Sequence, residues 1–278
     1  MKLALRAVHA RHPSAPRGSA VLRGVDLSLE SGEQVAVIGP SGAGKTTLLQ
    51  LASAGLKPVA GSVSIDGTDP WQLSVRALQR QRGRLFLSHQ TPPLPPRQRV
   101  VTAVLAGRLP EWSLGKSLLS LFHPQDIAGA QAALDRFDLG DKLFSRVDRL
   151  SGGERQRVGL ARAFISPARL WLVDEPLSAL DPTRSRQAVT ALTAAARERG
   201  ITLLASLHQV EIALAHFDRI VGLRDGQVAF DLPSAQVGPE RLAALYAQHE
   251  HELTEPLPDP STTTAATAER ATVLMQCR

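Results

Sequence analysis

Three stretches of this sequence hold side chains whose types and spacing could do chemistry, and the first is a cradle for phosphate. Gly39, Pro40, Ser41, Gly42, Ala43, Gly44, Lys45 and Thr46 fit G-x-x-x-x-G-K-[ST]. Glycines let the backbone curl until successive N–H groups point inward at an anion, and a helix N-terminus adds favourable partial charge. Lys45 would then reach the β- and γ-phosphates of a nucleotide as a point charge, and the Thr46 hydroxyl would ligate Mg²⁺. On this stretch alone, a plain glycine-rich turn between a strand and a helix stays open.

Leu170-Trp-Leu-Val-Asp-Glu-Pro176 is an apolar run ending in two adjacent acids. Side chains alternate along a strand, which predicts different tasks for the two. Asp174 points to the metal or its waters, and Glu175 stands beside the γ-phosphate to polarise the attacking water as general base. Acids that merely close a strand before a proline turn are common, so company decides. That company is Leu150-Ser-Gly-Gly-Glu-Arg-Gln156, where Ser151, Gly152 and Gly153 open a helix and offer a second anion site. Alone it would be an N-capped helix; following a phosphate loop at this distance, it reads as part of the same chemistry.

Bulk properties bound what these stretches can belong to. At 278 residues, with 43% apolar and 21% charged, the chain can form one large α/β domain or two small ones. Formal net charge is +6 and the pI about 10.2, which admits nucleic acid or an anionic membrane surface as partners. The one dense basic cluster, Arg76, Arg80, Arg82 and Arg84, lies on a short amphipathic stretch and reads as a solvated face. With 4% aromatics there is little for base stacking, and no nucleic-acid partner is expected. Cys277 is the sole cysteine, which excludes an intramolecular disulfide or a Cys-based zinc site and fits a reducing compartment. Met1 to Val8 lacks a signal-peptide apolar region and no apolar run reaches spanning length, so a role at a membrane would come through a partner.

The elements that must position these residues follow from periodicity. Strands are expected at 3–8 and about 20–29, joined by a Pro/Gly/Ser-rich loop, and at Gln34–Ile38 before the phosphate loop. Lys45 to about Ser53 starts a helix, and 61–67 and 84–88 are further strands. The proline-rich 90–97 is an irregular loop. Helical periodicity then takes over at 100–108, about 125–137 and 153–165, an inserted helical subdomain of about residues 91–165. Strand–helix alternation returns with strands at 170–173 and 201–205 and helices at about 183–199 and from about 210. Strands at 219–223 and 227–230 flank Arg224-Asp-Gly226, a hairpin signal, and a last helix spans about 240–249. The tail, 250–278, has little to bury and is expected to be disordered.

Together the three stretches resemble the ATP-binding subunit of ABC transporters: Walker A at 39–46, the signature LSGGE at 150–154 and Walker B at 170–175. The resemblance covers roughly residues 3–248 and implies an α/β fold, a P-loop NTPase (RecA-like) core with an antiparallel β subdomain and the inserted helical subdomain, within a domain of residues 1–249. It implies ATP and Mg²⁺ as cofactors. The nucleotide-binding set becomes Gly39 to Lys45, Thr46, Thr47, Gln90, Ser151, Gly152, Gly153 and His12, the last at the position of the family's adenine-stacking aromatic. Thr46, Gln90 and Asp174 would hold the metal, Gln90 as the Q-loop glutamine that senses the membrane partner. Glu175 and His208 would be catalytic, His208 as the switch histidine on the γ-phosphate, and 178–181 matches the D-loop. The family also implies two copies closing head to tail over two ATP molecules, with Walker A of one facing Ser151–Gly153 of the other. Its other partners are integral membrane permease subunits and, through them, an extracytoplasmic binding protein, which puts the chain peripherally on the cytoplasmic face of the bacterial inner membrane.

Two departures stand out: His12 lies in a stretch lengthened by Pro13–Gly18, and His89 precedes Gln90 where an aromatic is common. Within the family, 104–109 with Trp112 and 117–122, and 206–214 running into 218–226, are similar to phosphonate-importer ATPases. Three readings follow: the ATPase of a phosphonate or related oxyanion importer, that of an importer for another small solute, or a soluble ATPase serving an enzyme complex such as a carbon–phosphorus lyase.

Overall fold

The apolar runs assemble into two sheets in the computed structural model, which describes residues 1–11 and 20–247. In chain order the elements are β1 (Leu3–Ala10), β2 (Leu22–Leu29), β3 (Gln34–Ile38), α1 (Lys45–Ala52), β4 (Ala60–Ile65), α2 (Val75–Arg82) and β5 (Leu85–Ser88). Then come α3 (Val100–Leu105), α4 (Leu114–Phe122), α5 (Ile127–Asp135), α6 (Gly152–Ile165), β6 (Leu170–Asp174) and α7 (Pro182–Glu198). The chain continues with β7 (Thr202–Ser206), α8 (Val210–His216), β8 (Arg219–Arg224), β9 (Gln227–Pro233) and α9 (Pro239–Leu245). His12 and the Pro13–Gly18 insertion lie outside the described residues, as do the end of the expected last helix and the tail with Cys277.

The larger sheet has six strands in the order β5-β6-β7-β3-β8-β9, parallel except for the β8–β9 hairpin. β3, β6 and β7 are buried at every position, as parallel strands covered on both faces must be. Along β3, Ala36 and Ile38 join the core shared with the helices after β5, while Val35 and Val37 join the core shared with α1 and the smaller sheet. That smaller sheet is antiparallel, β2-β1-β4, and its alternating burial shows one wet face. The turn between β8 and β9 carries Asp225 (φ +50°) and Gly226 (φ +77°), the pair of left-handed residues that a two-residue hairpin turn requires.

α3, α5 and α6 pack on one another beside the main sheet and leave 91–99 irregular. Pro92 in that loop lies so close to α6 that a Cβ at Gly159 would come within 2.6 Å of its ring. Two helices were not anticipated. α2 carries Arg76, Arg80 and Arg82, with Arg84 just past its end, and all four are exposed as a solvated face requires; Arg82 also donates to the Ala54 carbonyl (3.2 and 2.7 Å) and Arg84 pairs with Asp66 (3.2 Å). α4 escapes a core-facing pattern because its amphipathicity is inverted. Ser120 is buried, while Leu114, Leu118, Leu121 and Phe122 form a row at helical spacing that faces out. Among the described residues, no helix is long and apolar enough to cross a membrane.

Candidate functional site

The site forms where β3, β6 and β7 end together, because parallel strands deliver their C-terminal residues to one edge. Beyond β3 the backbone must turn at Gly39 (φ +151°), where a Cβ would overlap the Leu223 carbonyl oxygen, so only glycine fits. Gly42 and Gly44 also have positive φ, and the curl ends in α1, whose Leu48 N–H donates to the Gly44 carbonyl (2.9 Å). The loop is held from outside as well. The Gly39 N–H donates to the Tyr246 hydroxyl (3.1 Å), and the Ala43 carbonyl accepts from Gly226 N–H (3.1 Å). Lys45 is buried at 4% exposure, its ammonium donating to the carbonyls of Gly39 (2.7 Å) and Pro40 (3.2 Å). Thr46 is exposed beside it, whereas Thr47 is buried, so a nucleotide would meet Thr47 through its backbone.

β6 pairs with β7 so that Asp174 lies opposite Ser206. The Ser206 hydroxyl donates to Asp174 Oδ1 (2.7 Å) and accepts from the Glu175 N–H (3.0 Å). Burial pushes the Asp174 carboxyl up, opposed by hydrogen bonds from Ser206 and Thr46 and by the Lys45 charge. The two acids do diverge, but strand alternation is not the cause. β6 stops at Asp174, and Glu175 has φ +44°, a left-handed kink that swings its carboxylate away from the strand line. There it meets His208 Nε2 at 2.6 Å and accepts from Gln90 Nε2 at 2.7 Å. Burial pushes the Glu175 carboxyl up, but the hydrogen bond and charge of His208, with Lys45, outweigh it and hold the group below its ordinary value. Folding therefore gathers Lys45, Thr46, Asp174, Glu175, His208 and Gln90, residues from separate stretches of the sequence.

Ser151, Gly152 and Gly153 open α6. Ser151 caps the helix reciprocally: its hydroxyl accepts from Glu154 N–H (3.2 Å), and its own N–H donates to the Glu154 carboxylate (2.7 Å). The hydroxyl keeps its proton to donate outward, and Ser151 and Gly152 are exposed.

Oxygen donors on Thr46, Asp174 and Gln90 are the hard set that suits Mg²⁺, and the buried carboxyl of Asp174, held by two hydroxyls, suits a cation beside it. Three functional residues escaped the sequence reading. Ser206 had one weak signal, its place at the end of a strand two residues before His208. Gln156 lay inside the signature stretch without a role of its own, and Tyr246 gave no local signal.

The family model described as ABC transporter matches residues 22–178. The chain belongs to the ABC transporter family. It is 68% identical to the phosphonates import ATP-binding protein PhnC 2 of Albidiferax ferrireducens, over 91% of this chain and 92% of that one. It is 63% identical to the phosphonates import ATP-binding protein PhnC of Polaromonas sp., over 100% of both. Among solved structures, a dimeric bacterial ABC transporter cassette aligns at TM-score 0.71 and 25% identity, covering 84% of this chain and 98% of that chain. A dimeric post-hydrolysis cassette bound to ADP and Pi aligns at TM-score 0.69 and 26% identity, with the same coverage. As an ABC ATPase, the chain binds and hydrolyses ATP, and its fold is the P-loop α/β fold expected from the sequence.

Proposed function

We propose that this ABC ATPase is the energy-coupling subunit of an importer for phosphonates or a related phosphorus oxyanion. The cargo rests on relatives at 63% and 68% identity over nearly the whole chain, each a phosphonates import ATP-binding protein. The chemistry rests on one observation: Glu175 stands at the end of β6 with its carboxylate between His208 (2.6 Å) and Gln90 (2.7 Å), beside the Lys45 loop.

The loop from Gly39 to Thr47 binds the phosphates of ATP through Lys45 and inward N–H groups; Pro40 has no N–H, and that of Gly39 is taken by Tyr246. Thr46, Asp174 and Gln90 hold Mg²⁺, which when bound neutralises charge on the phosphates. Glu175 takes the proton of the attacking water as it adds to the γ-phosphorus, and ADP leaves. Gln90 and His208 hold that carboxylate ionised and aimed. Each carboxylate oxygen takes one of these hydrogen bonds and keeps a second lone pair with which to accept from the attacking water.

Two copies close head to tail, with Ser151, Gly152 and Gly153 of one completing the ATP site of the other. ATP supplies contacts present only in the closed dimer, and hydrolysis removes them, which makes the interface a two-state switch. The switch drives integral membrane permease subunits, supplied with cargo by an extracytoplasmic binding protein, from the cytoplasmic face of the cell membrane. The ATPase domain is residues 1–249, with its helical part at about 91–165.

Glu175→Gln tests the chemistry. Loss of the base should slow phosphate release by about 10²–10⁴-fold, while ATP still binds and a stable dimer accumulates on gel filtration. Turnover within about threefold of wild type would refute the base assignment, since general-base catalysis contributes far more. Stimulation of the reconstituted complex by phosphonates tests the cargo, and no response would refute it.

A further inference from the structure

Gln156 is 3% exposed and lies one helical turn beyond Gly152 and Gly153, so it projects from the same side of α6. Its Nε2 donates to the Glu175 carbonyl (2.8 Å) and to the Ser178 hydroxyl (3.1 Å), and its Oε1 accepts from the Ala179 N–H (3.1 Å). The orientation of the amide is forced, because a carbonyl needs the NH₂ end and an N–H needs the oxygen. One buried side chain thus holds both the backbone of the proposed base and the loop after it.

The start of α6 is pressed on that loop too. A Cβ at Gly153 would stand 2.7 Å from the Ala179 carbonyl oxygen and 3.1 Å from Leu180 Cδ2. At Gly153 the contact is too tight to absorb a displacement, so a shift of the first turn of α6 presses on Ala179 and Leu180. Glu175 begins the segment that Gln156 holds, with φ +44° and its carboxylate 2.6 and 2.7 Å from its partners.

We infer that Gln156 is a positioning residue that couples the two ATP sites of the dimer. ATP bound to one copy contacts Ser151–Gly153 of the other, and Gln156 carries the resulting shift of α6 to Glu175 within that second copy, which serves the second ATP. The inference rests on the head-to-tail reading above. It differs from a packing role in a measurable way: cooperativity between sites depends on it, and the affinity of a single site does not.

The test uses the full chain, comparing wild type with Gln156→Met and Gln156→Glu. The methionine keeps the volume and loses every hydrogen bond. The glutamate keeps an acceptor for the Ala179 N–H but sets a carboxylate oxygen against the Glu175 carbonyl. Phosphate release is measured against ATP concentration, ATP affinity by titration with a fluorescent analogue, and folding by thermal melts. Wild type should show a Hill coefficient above 1 and below the two-site limit, falling to about 1 in both variants. Turnover should fall about 10–100-fold, as for a misplaced catalytic group, with ATP affinity within about twofold of wild type. Wild-type turnover and cooperativity in either variant would overturn the inference, as would matched losses of affinity and turnover or failure of the variants to fold. A wild-type chain that neither dimerises nor cooperates would instead overturn the head-to-tail reading and this inference with it.

Discussion

Tyr246 makes the sharpest test of how the phosphate loop is held. Its ring is 1% exposed, and its hydroxyl accepts the Gly39 N–H at 3.1 Å across 207 residues of sequence. Tyr246→Phe deletes one oxygen atom and leaves the ring in place, so packing changes little and the buried N–H loses this acceptor. A buried donor stripped of its acceptor costs about 1–3 kcal/mol. In a chain of this size each kcal/mol moves the melting midpoint by about 2–4 °C, so the midpoint should fall by about 2–12 °C. The first peptide of the loop therefore loosens, ATP binds less well, and the rise in midpoint on adding ATP shrinks as the ratio of ligand to Kd falls. Differential scanning fluorimetry with and without Mg²⁺ and ATP reads both effects. A midpoint within about 1 °C of wild type in both conditions corresponds to less than about 0.5 kcal/mol and would refute the reasoning.

Two further predictions concern the same pocket. Lys45→Ala removes the buried cation, and because hydrogen bonds to charged groups are worth about 1.5–3 kcal/mol, ATP affinity should fall about 10–150-fold; unchanged affinity by titration would count against the loop as the phosphate site. His208→Ala strips Glu175 of the hydrogen bond and charge that do most to oppose burial, leaving Lys45 and the Gln90 hydrogen bond. In wild type the stability from this depressed carboxylate is complete above its ordinary 4.5 and is lost as pH falls through the lower folded value. In the variant the carboxyl rises, so the acid limb of residual ATPase activity should move to higher pH, and a pH profile with an unmoved acid limb would refute the pairing.

Much of this protein is written in local pattern. The strand before a glycine-rich turn, the apolar run ending in Asp174 and Glu175, and the Ser151 cap each follow from nearest neighbours along the chain, where backbone sterics and hydrogen bonds act. Those signals marked the parallel-sheet core and the hairpin at 224–226. α4 was not legible for an equally physical reason. Its leucines and Phe122 face out, so its apolar periodicity does not report a core.

What only the tertiary structure decided is how those parts meet. Strand alternation alone set Asp174 and Glu175 apart for the wrong reason; a left-handed residue just past the end of β6 separates them. Ser206 joined the site because β6 and β7 pair in one register, a choice made between strands rather than within either. Gln156 became a bridge only once α6 was pressed onto the 175–180 loop, and Tyr246 reached Gly39 only once the C-terminal helix was docked. Sequence fixes which groups are present and what local geometry they favour, whereas their partners are set by packing between distant segments, where the same side chain has many possible neighbours and the fold selects one.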